Sequence, residues 1–322
     1  MTSIDNLEHS RQSLKTRVEV AAALIFGQLF RRLPDGILKL KIKNTVFDRY
    51  IGWRNITLVA DTDFGKKVKV RFPDSIQTTI FLTGVWEPNI TTIIAQALLP
   101  GDVFIDVGAN VGYYSLLAAS RIGSEGHIYA IEASPRIFAA LVENIGLNGI
   151  TNVTTINRAV SNSTGLCEIF MAKETNLGHS SIVPGLARTD GHTLEAVVGC
   201  APLGALVPSE HLLRARFIKI DIEGAERFSI EGVLDLLPRF SKETEWLVEM
   251  CPKFCPNGQP DVDWMFDVFI RAGYSAWVVE NDYSEEFTFC EGHQATLTQI
   301  TSAPKRDICD VIFSRTRRRG TT

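Results

Sequence analysis

From Leu99-Pro100-Gly101 onward, short apolar runs alternate with helical patterns along the chain. DVFIDV (102–107) reads as a strand, followed by a helix from about Gly112 to Arg121. HIYAIE (127–132) reads as a second strand, followed by a helix from Pro135 to Asn148. VTTINRAV (153–160), RFIKIDI (216–222) and TEWLVEM (244–250) read as strands three to five, with a helix after strand four that ends near Leu237. A helix from Val262 to Ala272, a strand at Tyr274–Val279 and a last strand at Cys309–Phe313 close the series. Apolar runs that do not alternate suit strands buried on both faces, and helices between them supply the covering layers. The pattern therefore predicts an open, mostly parallel α/β domain over residues 86–316.

Residues 1–85 have a different texture, and they predict an extension made of a helix and a short β unit. The apolar run VAAALIFGQLF (Val20–Phe30) has 11 residues, whereas a membrane span needs about 20. Arg31-Arg32 stand where a signal peptide would have small residues. The run predicts a helix packed on the domain, with peripheral membrane contact the minority reading that Lys15, Arg17, Arg31 and Arg32 support. From Ile56 to Val85 β-branched and aromatic residues surround turn chemistry at Asp63–Gly65, so a hairpin-like unit is expected, continuing through TTIFLTGVW. The arginine-rich end predicts a disordered basic tail at 317–322.

Composition narrows the function classes. The chain has 322 residues with 45% hydrophobic content, enough for one large core. Its 33 basic and 37 acidic residues give a net charge of -4. No global positive field exists to hold a polyanion, so nucleic acid is not expected as a partner. Cysteines 167, 200, 251, 255, 290 and 309 are too sparse for a disulfide scaffold and point to reduced thiols in a cytoplasmic location. Neither zinc signature H-x-x-H nor H-E-x-x-H is present, and Cys251-x-x-x-Cys255 lacks a second ligand pair. No metal site is expected, although a carboxylate-bound Mg²⁺ near Asp221 stays open. The oligomeric state is not legible.

Candidate chemistry begins at the first strand-to-helix turn, Asp106-Val107-Gly108-Ala109-Asn110-Val111-Gly112, which runs on into Tyr113. Gly108 and Gly112 permit a sharp turn and close approach of a ligand, and ligands of open α/β sheets bind outside the carboxyl ends of the strands. A dinucleotide turn would place glycine where Asn110 stands, and Asp106 would repel a phosphate. A cationic, phosphate-free ligand fits better. Glu132, at the end of strand two, can accept both hydrogen bonds of a ribose diol; a solvated strand-end residue is the plainer alternative. In FIKIDIEGAE (217–226), alternation places Lys219, Asp221 and Glu223 on one face of strand four. Three charges on a buried strand must pair or serve a site, and a purely structural Lys219–Asp221 or Lys219–Glu223 pair is the competing reading.

The blocks VWEPNITTIIAQALLPGDVFIDVGANVGYYSLLAA, YAIEASPRIFAALVENIGLNGITNVTTINRAVS, HSSIV and FIKIDIEGAE together resemble the FkbM family of S-adenosylmethionine-dependent methyltransferases. The resemblance runs from about Thr83 to Glu249. It implies a Rossmann-like class I methyltransferase, with a seven-stranded, mostly parallel sheet whose last strand is antiparallel and helices on both faces. It also implies S-adenosylmethionine as cofactor and an O-methyl product on a small molecule, sugar or glycan. Asp106, Gly108, Asn110, Glu132 and Asp221 carry over as positions around the cofactor or the reacting methyl.

On that reading the protein aligns an acceptor hydroxyl with an already activated methyl. Asp221 and Glu223 are candidate bases, with Lys219 as partner. His179, in a loop from Lys173 to Asp190 read as a lid, is the third candidate base. Two other classes compete: a nicotinamide-dependent oxidoreductase on the same fold, and a non-catalytic S-adenosylmethionine-binding protein.

Overall fold

The computed structural model describes residues 14–171, 193–281, 284–290 and 295–316. The chain opens with helix α1 (Leu14–Arg31) and helix α2 (Ile37–Ile42), which runs on through a π-helical turn at Lys43–Phe47. An antiparallel hairpin follows, β1 (Thr57–Asp61) with β2 (Lys67–Arg71), where turn chemistry at Asp63–Gly65 predicted it. The next segment departs from expectation, because the TTIFLT of TTIFLTGVW belongs to a helix, α3 (Ser75–Thr83). Its β-branched and aromatic composition favours a strand, but local signals decide otherwise. Asp74 caps the helix, its Oδ1 accepting from Gln77 N at 2.8 Å, and left-handed Gly84 ends it. The guanidinium of Arg31 then donates to the carbonyls of Ile80 and Phe81 in its last turn and to that of Asp61.

After α4 (Pro88–Ala97) the α/β core alternates as the apolar runs predict: β3 (Val103–Val107), α5 (Tyr113–Ile122), β4 (His127–Ile131), α6 (Pro135–Leu147) and β5 (Val153–Ile156). The third strand is shorter than expected. Asn157 donates to the carbonyls of Glu132 and Ala133, which turns the chain at 157–158. Residues 159–160 become β6 (Ala159–Val160), part of a separate three-stranded sheet with β7 (Gly165–Met171) and β8 (Thr193–Ala201). The core resumes with β9 (Phe217–Ile220), α7 (Glu226–Glu231), β10 (Glu245–Met250), α8 (Gln259–Arg271) and β11 (Ser275–Val279). It ends with α9 (Glu285–Cys290), β12 (Leu297–Ile300) and β13 (Cys309–Ser314).

Among the described residues the main sheet has eight strands, in the order β12-β11-β13-β10-β9-β3-β4-β5. From β5 to β10 neighbours are parallel, while β13 runs antiparallel between β10 and β11. This is the sheet with a reversed last strand that the family resemblance implies, with β12 as an eighth strand at the edge. Val103, Ile105 and Val107 pack on one side with Ile218, Trp246 and Phe313. Phe104 packs on the other side with Leu116, Leu247 and Ile312. That second layer continues into Ala23, Phe30, Phe47 and Phe81, so the N-terminal helices share its core, packing on α3 and α9. None of the described helices is long and apolar enough to cross a membrane. The predicted basic tail lies outside the described residues.

Candidate active site

At the carboxyl ends of β3, β4, β9 and β10 lies a cavity of about 750 Å³. One wall is the turn after β3. Gly108 and Ala109 donate their backbone N–H groups to the carbonyl of Ile131, both at 3.0 Å, which draws the turn against β4. Gly108 has φ +81°, and a Cβ there would lie 1.8 Å from the carbonyl oxygen of Asp221. The glycine thus lets the turns after β3 and β9 meet. A side chain at 108 would strike the protein's own backbone first, rather than simply fill ligand space. Asn110 is itself left-handed, at φ 50°, and its Oδ1 accepts from Val111 N at 2.8 Å. Ala109, Asn110 and Tyr113 line the cavity, whereas Gly112 sits behind the wall and begins α5.

Glu132 also lines the cavity and is buried. Its Oε2 accepts from Asn110 N at 2.9 Å and its Oε1 from Ser134 N at 2.8 Å, so it is not a solvated strand-end residue. Burial pushes its carboxyl up to about 7, against the lowering effect of those two N–H donors. Asp106 differs from expectation. It is fully buried and does not reach the cavity wall, and its Oδ2 accepts from Ser115 Oγ at 2.7 Å. In register it faces Lys219 on β9. Its position is beneath the turn, where it supports α5 and Lys219.

At the other end of the cavity the strand ends at Ile220, and Glu223 lies in a left-handed turn at φ 54°. The predicted alternation therefore stops before Glu223, yet Lys219, Asp221 and Glu223 all line the cavity. Lys219 is buried, 2.7 Å from Asp221 Oδ2 and 5.0 Å from the centre of the Tyr114 ring. Burial alone would lower its ammonium, but Asp221, Asp106 and Glu87 hold it above the ordinary lysine range. The Lys219–Asp221 pair read from the sequence is formed, and both of its members line the cavity. Burial, with Asp221 and Glu226 nearby, raises Glu223 well above the usual carboxylate range. His179 and the predicted lid lie outside the described residues.

Two cavity carboxylates escaped the sequence reading. Glu87, in a left-handed conformation at φ 43°, accepts from the Tyr114 hydroxyl; burial, then Asp310 and Asp221, push it up to about 8. Glu249 is buried on β10, and its Oε2 has no hydrogen-bond partner among the described residues. A charged residue at the carboxyl end of an apolar strand was the available signal for Glu249, by the same logic that picks out Asp221. Among the described residues no group of three or more His, Cys, Asp or Glu is arranged to hold a metal ion.

The cavity thus joins a hydrogen-bonded carboxylate beside a glycine turn to a second, acid-rich end. The methyltransferase FkbM domain model matches residues 106–276, more than half of the chain. The chain belongs to the FkbM methyltransferase family. It has the class I methyltransferase fold, and its cofactor is S-adenosylmethionine. An arsenite methyltransferase of Halobacterium salinarum is 32% identical over 57 residues, 18% of this chain and 15% of that protein. A protein-L-isoaspartate O-methyltransferase of Ignicoccus hospitalis is 32% identical over 71 residues, 21% of this chain and 34% of that protein. The chain therefore spans at most about a third of the length of these curated relatives. Among solved structures, a methyltransferase FkbM from Methylobacillus flagellatus is 12% identical, covering 74% of this chain and 52% of that one, with a TM-score of 0.40. The cavity's chemistry fits the cofactor, because its wall presents carboxylates, including the unpartnered Glu249 oxygen, to a ligand that carries a sulfonium cation.

Proposed function

We propose that this methyltransferase acts on a hydroxyl oxygen of a small molecule, sugar or glycan. The observation that carries the reading is the two-ended cavity, with Glu132 at one end and Lys219, Asp221 and Glu223 at the other. Bound there, S-adenosylmethionine supplies an electrophilic methyl whose leaving group departs as a neutral thioether. On the protein side, Glu132 accepts the ribose hydroxyls, and its position is set by Asn110 N and Ser134 N. Lys219 fixes Asp221 through their ion pair. Asp221 or Glu223 accepts the hydroxyl proton as oxygen bonds to carbon. The acidic wall and the net charge of -4 disfavour a polyanion and support a neutral or cationic acceptor.

Calorimetry with S-adenosylmethionine, S-adenosylhomocysteine, NAD and NADP tests the cofactor end, and only the first two are expected to bind. Transfer of labelled methyl to a panel of hydroxylated compounds, with the product bond assigned by NMR, tests the acceptor end. Product methylated at nitrogen or carbon would overturn the hydroxyl assignment.

A further inference from the structure

The N-terminal helices carry a surface that methyl transfer does not use. On α1, Ala23 and Phe30 enter the core, yet Val18, Ile25 and Leu29 face away from it at helical spacing. Together with Ile37 and Leu38 on α2, and Trp53 just beyond, each is between 59 and 68% exposed. A helix that is apolar all round is ordinarily covered on every side, and large apolar side chains left exposed at helical spacing mark an interaction site. Charge identifies what covers it. Between residues 14 and 54 the acidic residues are Glu19, Asp35 and Asp48, and each is held in an ion pair, with Arg54, Lys39 and Lys43 respectively. Lys15, Arg17, Arg32, Lys41 and Arg49 are exposed and have no ion pair among the described residues. Arg31 is not part of this set, because it is spent on the carbonyls at the end of α3. A second copy docking on the same face would bring basic residue against basic residue, whereas an anionic lipid surface complements both the apolar stripe and its charge.

We infer that the outer face of α1 and α2 docks on an anionic membrane surface, and that docking turns the mouth of the catalytic cavity toward the lipid headgroups. Trp53 supports the orientation. It is exposed and lies at the cavity rim, and its indole N–H donates to the carbonyl of Arg49 at 2.9 Å. An aromatic residue at such a boundary suits the headgroup layer.

Sedimentation of the full chain with phosphatidylcholine vesicles, with and without phosphatidylglycerol, tests the docking. Binding is expected only to the vesicles that contain phosphatidylglycerol, and added salt should weaken it. Arg32→Gln and Lys41→Gln should each weaken binding about fivefold, and Leu29→Asn about tenfold, with circular dichroism unchanged because all three positions are exposed. Brominated phosphatidylcholine mixed into the vesicles should quench the parent's tryptophan fluorescence, and Trp53→Phe should remove most of that quenching. These readouts need neither cofactor nor acceptor, so their outcome is separate from that of the methyl-transfer proposal. Three results would overturn the inference: equal sedimentation with both kinds of vesicle, vesicle binding that Leu29→Asn leaves unchanged, or a dimer that Leu29→Asn dissociates while vesicles capture neither form.

Discussion

Replacing Glu132 by glutamine probes the end of the cavity proposed to hold the nucleoside, with the least change in shape. The two carboxylate oxygens accept from Asn110 N and Ser134 N at 2.9 and 2.8 Å, and each keeps lone pairs for a ligand hydroxyl. A glutamine amide has one oxygen and one NH₂, so whichever way it turns the NH₂ meets a backbone N–H. One buried donor is left unpaired, at a cost of about 1–3 kcal/mol in stability. The ribose hydroxyls lose a charged acceptor worth about 1.5–3 kcal/mol, or about 10–150-fold in Kd. Calorimetry with S-adenosylmethionine beside thermal unfolding separates the two effects, and both are expected. The pH dependence gives a further check. Burial places Glu132 at about 7 in the free protein, and hydroxyl donors favour its ionised form, so below about pH 7 binding must expel a proton. Affinity should then weaken as pH falls through 7, with Glu132 contributing up to about tenfold per pH unit, and the glutamine variant should have a slope shallower by that one proton. A folded variant with the parent's affinity and the parent's pH slope would refute the assignment of Glu132 to the cofactor.

Three other substitutions test separate parts of the argument. Asp221→Asn keeps shape but loses basicity, and single-turnover methyl transfer should fall about 10²–10⁴-fold while cofactor affinity changes far less; a loss of cofactor binding instead would move Asp221 to the nucleoside end. Gly108→Ala forces a Cβ toward the Asp221 carbonyl, 1.8 Å away at a φ of +81°, and the backbone strain alone should cost about 1–3 kcal/mol, seen as a lowered Tm that a parent-like melting curve would contradict. Arg31→Met removes the cation from the end of α3 and should cost about 1.5–3 kcal/mol, as for hydrogen bonds to a charged group; an unchanged denaturation midpoint would show that water satisfies those carbonyls equally well.

What the sequence made legible, and what it hid, follows from how local each determinant is. The strands at β3, β4, β9 and β10 are mainly apolar, with charged residues such as Asp106 and Lys219 as the exceptions, because both faces are covered, and that demand is written residue by residue. The turn from Gly108 to Gly112 and the carboxylate at Glu132 were legible for the same reason, since backbone conformation and strand-end position both leave marks within a few residues. Segment α3 was misread because TTIFL has strand propensity, and the cap at Asp74 with the stop at Gly84 outweighs it. The β5–β6 break rests on Asn157 reaching the carbonyls of Glu132 and Ala133, a contact across the sheet that no period in the sequence reports.

The end of the cavity proposed to take the acceptor was the least legible, because four chain segments build it. Glu87 comes from the residue before α4, Tyr114 from α5, Lys219 and Asp221 from β9 and its exit, and Glu249 from β10. Lys219 and Asp221 stood out as charges on a buried strand, whereas Glu87, Tyr114 and Glu249, each taken alone, read as ordinary residues. Assembled, they place several carboxylates around one lysine in a buried volume, where they cannot all be ionised without large repulsion. Burial first, and then repulsion from neighbouring carboxylates, raises the carboxyls of Glu87, Glu223 and Glu249. A cationic ligand favours the ionised forms, so cofactor binding should itself make this end of the cavity more able to take a proton. The same contacts that recognise the sulfonium would then prepare the base that the acceptor hydroxyl needs.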